Sequence, residues 1–202
     1  MVWRIVSAIA VLVLILVVPV GVEAQNLLVN PNFDTDASGW SGLGSWDPLD
    51  VDGSPSSGSA TWLNDWPGSG GSMYFSQCIE LVAPIEAFDL RAYIYIPGGQ
   101  AGTGYASLAA WFYSDSACDD FIWSYGPPPA SVLGVWQLAE DTDWAPNNAA
   151  SVQIGLFNQE SGTGDFRVYH DAVYFGPNST MVFGDGFESS DTSQWSSTTS
   201  GQ

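Results

Sequence analysis

Beyond residue 24 the chain alternates apolar and polar positions at period two, in short runs separated by clusters of Gly, Pro, Ser, Asn and Asp. The best-formed run, 87–96, sets Phe88, Leu90, Ala92, Ile94 and Ile96 on one face and Asp89, Arg91, Tyr93 and Tyr95 on the other. The same phase sets Leu108, Ala110 and Phe112 against Ala109, Trp111 and Tyr113, and Val152, Ile154 and Leu156 against Gln153, Gly155 and Phe157. No stretch has a helical period long enough to predict a helix. Strands are predicted over 26–29, 59–63, 72–81, 87–96, 105–114, 121–125, 135–140, 150–158 and 166–175. Evenly spaced strands of this kind predict an all-β sandwich of two antiparallel sheets with the aliphatic faces inside. The opposite faces carry Tyr93, Tyr95, Trp111, Tyr113 and Phe157, too many aromatics for an ordinary solvated sheet. If those strands are neighbours, they form one aromatic platform.

The two ends break the pattern. Residues 1–24 have a cation at Arg4, an apolar run from Ile5 to Val18 and the small-residue site Val22-Glu23-Ala24 ahead of Gln25. That order predicts a cleaved signal peptide, since the apolar run is shorter than a spanning helix needs and closes on Pro19 and Gly21. Residues 25–178 then form the sandwich domain, and 179–202 a polar tail. Within that tail Gly186-Phe187-Glu188 through Trp195-Ser196 echoes Asn32-Phe33-Asp34 through Trp40-Ser41 with one extra residue.

Charge narrows the partners. The formal net charge is -19, and there is no lysine. Of the 22 acidic residues only Glu23 goes with the signal peptide, which leaves 21 against Arg91 and Arg167. Such a surface repels phosphate backbones and anionic lipid, so nucleic acid and membrane are not expected partners. Carboxylates in this number also suit a divalent cation. Cys78 and Cys118, in a chain that is exported, are expected to form a disulfide. His170 beside Asp171 suggests a catalytic pair, but adjacent strand residues point to opposite faces, and no nucleophile elbow, zinc-ligand spacing or phosphate loop is present. The sequence reads as non-catalytic, with a carboxylate-pair glycosidase as the enzymatic alternative.

The opening Asn26-Leu27-Leu28-Val29-Asn30-Pro31-Asn32-Phe33-Asp34, followed by Gly39-Trp40, resembles that of carbohydrate-binding modules of families 4 and 9. Ser76-Gln77-Cys78-Ile79, Tyr93-Ile94-Tyr95-Ile96, Gly134-Val135-Trp136 and the closing Phe166 to Val173 are similar in type and order. The resemblance spans about Asn26 to Phe175 and implies a jelly roll that binds polysaccharide and carries a structural calcium ion. The tail from Asp185 is similar to a short C-terminal segment of secreted bacterial proteins. By the same resemblance calcium would lie between Asp34 and Asp171, with main-chain carbonyls and Asp52 or Asn30 completing six to eight oxygens. Otherwise Asp34 caps a turn and Asp171 pairs with Arg167.

A sugar site needs flat aromatic surface fringed by amide, carboxylate or guanidinium groups. Tyr93, Tyr95, Trp111 and Tyr113 supply the surface and Arg91 and Gln153 the polar partners. Trp46, Trp62, Trp66, Trp123 and Tyr125 are placed to wall the cleft, and Trp40 and Trp136 fall where the family keeps core tryptophans. The alternative from another class is a structural or adhesive cell-surface sandwich that binds no glycan.

Overall fold

A computed structural model describes residues 25–65, 71–81, 87–162 and 164–178; the expected signal peptide over 1–24, Trp66 and the expected tail over 179–202 lie outside the described residues. Ten strands follow in chain order: β1 (Ser41–Gly42), β2 (Ser45–Asp47), β3 (Ser59–Asn64), β4 (Gly71–Glu80), β5 (Ala87–Tyr95), β6 (Gly104–Tyr113), β7 (Phe121–Tyr125), β8 (Trp136–Trp144), β9 (Ser151–Glu160) and β10 (Phe166–Pro177). They build two five-stranded antiparallel sheets, ordered β1-β4-β9-β6-β7 and β2-β3-β10-β5-β8. The chain is an all-β sandwich, as the alternation predicts.

The core lies where the two aliphatic faces meet. Phe88, Leu90, Ala92 and Ile94 of β5 are fully buried, as are Ala110 and Phe112 of β6 and Val152, Ile154 and Leu156 of β9. Phe88 is its aromatic centre, with Phe112, Phe175 and Tyr125 at centroid distances of 5.1, 5.2 and 5.8 Å. Inward-facing branched aliphatics and aromatics alternating with outward polar positions are what a pleated, half-buried strand selects.

Three local predictions are corrected. Residues 26–29 form no ladder strand, because side-chain amides take the place of the sheet partner. Asn26 Oδ1 accepts from the backbone N–H groups of Leu28 and Phe175, and Gln77 bonds both the N–H and the C=O of Val29. Second, β8 runs four residues past its predicted end into Asp141, Thr142, Asp143 and Trp144. As an outermost strand it has no apolar partner to impose alternation, and acidic side chains protect such an edge from further pairing. Third, Trp136 is not in the core: it pairs with Tyr95 in register and packs on that ring at 5.4 Å, on the outer face. Trp40 is buried as expected, 5.4 Å from the fully buried Phe33, with its indole N–H on the Asn30 carbonyl.

The Cys78–Cys118 disulfide is formed. It ties the loop between β6 and β7 to β4, reaching across the end of β9. Cys118 has φ of 61°, a left-handed turn that lets the loop fold back over the sheet.

Candidate functional site

The six residues predicted to share a sugar platform are divided between the two sheets. Arg91, Tyr93 and Tyr95 sit on β5, whereas Trp111 and Tyr113 sit on β6 and Gln153 on β9. All six occupy outward positions, as alternation requires, but the outward faces of two packed sheets point in opposite directions. A single platform is therefore ruled out. Sequence periodicity fixes the face of a strand, not the sheet to which it belongs.

On the β1-β4-β9-β6-β7 sheet, Trp111 stands directly across from Gln153, and Tyr113 from Phe121. Trp111 meets Phe157 edge to face at 5.1 Å, and Tyr113 meets Phe121 in the same manner at 6.1 Å. Gly155 lies between these groups. A Cβ there would come within 2.6 Å of Met73 Sδ and 3.2 Å of both Phe157 and Trp111, so only glycine lets these side chains close over the strand. The Tyr113 hydroxyl donates to Gln153 Oε1 at 3.1 Å, and Gln153 Nε2 donates to Ser76 Oγ at 3.1 Å. These bonds fix the orientation of the amide. Burial, then the charges of Asp119 and Asp115, push the Tyr113 phenol up, so it remains a neutral donor.

Trp111, Tyr113, Phe121, Gln153, Asp119 and the disulfide at Cys118 bound a wide-open depression of about 500 Å³. Phe121 is 57% exposed and Trp123, on the same edge strand, 53%. The sequence does not point to Phe121 and Ser76 as site residues, because only sheet order places β7 beside the Trp111 strand and β4 beside the Gln153 strand. The other aromatics placed near the cleft have different roles. Trp62 stacks on Tyr74 at 6.0 Å against the core, Tyr125 packs edge-on to Phe88, and the Trp46 indole donates to the Phe33 carbonyl.

On the opposite sheet Tyr95 packs between Trp136 and Tyr169, at 5.4 and 5.9 Å. The Arg91 guanidinium lies over the Tyr174 ring at 4.3 Å.

His170 is wholly buried between the sheets. Its Nε2 is 3.0 Å from the Ser107 carbonyl, which can only accept, so Nε2 carries the proton and Nδ1 accepts from the Tyr74 hydroxyl at 2.7 Å. Burial lowers its pKa to about 4, against a partial opposing effect of the Ser107 bond. This is a neutral structural imidazole with both nitrogens committed, and it forms no dyad with Asp171.

Asp171 is buried under the loop that follows β2: its Oδ2 accepts from Val51 N–H at 2.9 Å and its Oδ1 from Ala172 N–H at 2.6 Å. Burial raises its pKa to about 6, and the charges of Asp50 and Asp52 add to the rise against the two backbone bonds. Asp34 is exposed, its backbone N–H on Asn30 Oδ1, and it is not among the charges acting on Asp171. Nor does Asp171 pair with Arg167. Among the described residues no three His, Cys, Asp or Glu side chains converge as a metal-binding group. The charges of Asp50 and Asp52 are nonetheless close enough to act on Asp171, and carboxylates are the hard-oxygen type that calcium takes.

The fold is similar to that of several carbohydrate-binding modules and of a tailspike domain. A family 16 carbohydrate-binding module matches with a TM-score of 0.53 at 14% identity, over 74% of this chain and 99% of that one. The CBM22-1 xylan-binding domain from Paenibacillus barcinonensis Xyn10C matches with a TM-score of 0.53 at 12% identity, over 76% and 94%. The enzymatically active domain of bacteriophage CBA120 tailspike protein 4 matches with a TM-score of 0.53 at 18% identity, over 75% of this chain; the chain spans only 21% of that protein. No family model and no curated protein sequence matches the chain.

Proposed function

We propose that this protein is a secreted, non-catalytic module that binds a neutral polysaccharide on the outer face of the β1-β4-β9-β6-β7 sheet. The observation that carries the reading is the Trp111 cluster: half-buried Trp111 and Phe157 close over Gly155 beside the exposed rings of Phe121 and Trp123, edged by an amide whose orientation is fixed by Tyr113 and Ser76. Aromatic faces take the apolar C–H faces of sugar rings, while Gln153 and Ser76 address hydroxyls. The one charged residue lining the depression is the acidic Asp119, and together with the net charge of -19 it disfavours acidic glycans. Supporting the reading, the similar folds include one described as xylan-binding and one solved in complex with β-1,4-galactotriose. The disulfide agrees with an oxidising, extracellular compartment. We also propose that calcium at Asp171, with Asp50 or Asp52 contributing, holds the loop after β2 to β10.

A glycan array tests the main reading. Trp111→Ala should weaken binding of the retained glycan by about tenfold, on the scale of one lost aromatic contact, with the melting temperature nearly unchanged. No retention of any plant, algal or bacterial polysaccharide would favour the structural or adhesive sandwich instead.

A further inference from the structure

Arg91 and Glu140 stand directly opposite each other on β5 and β8, both exposed on the outer face of the second sheet. Opposite charges in that position normally pair. Here they do not: among the described residues neither forms an ion pair or a side-chain hydrogen bond, and Arg91 is held instead over the Tyr174 ring at 4.3 Å. The reason lies in β10. A bulge shifts its register between Asp171 and Tyr174, with Ala172 at a φ of 47°, so that Tyr174 rather than Val173 falls opposite Arg91. The guanidinium is drawn onto that ring and away from Glu140.

A hollow of about 420 Å³ results, lined by Arg91, Glu140, Tyr93, Tyr174 and Asn32 among others. Tyr93 has no ring contact among the described residues and is 37% exposed at its wall. The hollow thus presents a fixed multiple donor, an unspent carboxylate acceptor, an amide and an open aromatic surface. The two formal charges cancel, which disfavours an ionic ligand. Adjacent hydroxyls on a pyranose match it, one accepting from the guanidinium while its neighbour donates to the carboxylate.

We propose that this hollow is a second saccharide site, for a neutral pyranose, on the face opposite the Trp111 cluster. It does not depend on the Trp111 face binding glycan, since no residue is shared. Two sites on opposite faces would make one copy of the chain able to bridge two polysaccharide strands.

The test is a nitrogen-15 NMR titration of the full chain with glucose, galactose, xylose and mannose. Saturable shifts are expected at the Arg91 Nε–H and at the Tyr93 and Glu140 amides with at least one of the four, and should persist in Trp111→Ala. Glu140→Ala, an exposed change on an outermost strand, should weaken that response by about tenfold, with Arg91→Met as an independent check. Silence of these resonances with all four sugars overturns the proposal, as does an undiminished response in Glu140→Ala. Failure of the Trp111 face would show separately, as silence at the Trp111 indole and the Gln153 amide.

Discussion

His170 shows how burial decides the role of a residue whose type alone suggests catalysis. Its folded pKa of about 4 lies below the ordinary 6.5, so on acidification the unfolded chain takes up the proton first. The contribution is therefore complete above pH 6.5 and is lost as pH falls through about 4. Its size is on the order of 3 kcal/mol, from the shift at about 1.4 kcal/mol per unit. Asp171 acts in the opposite sense. Its pKa is raised to about 6 from 3.8, so in metal-free protein its contribution is present below pH 3.8 and lost as pH rises through about 6. Comparing wild type with His170→Gln cancels the Asp171 effect. The difference in their unfolding free energies should shrink by roughly 3 kcal/mol between neutral pH and pH 4 by denaturant titration. A constant difference would mean that the imidazole is not buried in its neutral form.

Among the elements, the β6–β7 hairpin and the loop after β2 are joined to the sandwich by chemistry rather than by ladder bonds alone. The disulfide closes a separation of 40 residues, which on the chain-entropy model stabilises the fold by roughly 4 kcal/mol. Cys78→Ala with Cys118→Ala should lower the melting temperature accordingly. It should also weaken glycan binding more than Trp123→Ala does, because Cys118 bounds the depression together with Phe121, whereas Trp123 does not line it. A double variant that binds as tightly as wild type would separate the disulfide from the site. The proposed calcium belongs to the same scale, clamping the Asp50–Gly53 turn onto β10. Calcium in hundredfold excess over its Kd should add about 2.7 kcal/mol at neutral pH. The gain should diminish below pH 6, where Asp171 protonates, and vanish in Asp171→Asn. A melting curve indifferent to both chelator and added calcium would remove the ion from the account.

For the whole molecule, the division between what could be read from the chain and what could not follows the range of the interactions involved. Alternation is local, so the sequence by itself determined that Leu90, Phe112 and Ile154 are inside and that Arg91, Trp111 and Gln153 are outside. Cysteine number and an expected export likewise predict the one disulfide that forms. The two shortest strands, of two and three residues, were too brief to show a period, and Gln77 replaced a strand partner with an amide that no pattern announces. Sheet membership depends on which distant segments pair, and only the tertiary structure decided it. Pairing Trp111 with Gln153 and Arg91 with Glu140 put the expected platform on two opposed faces. The bulge in β10 then decided the rest: a one-residue register shift, invisible in composition or spacing, set Tyr174 under Arg91 and left a cation and a carboxylate side by side without a bond.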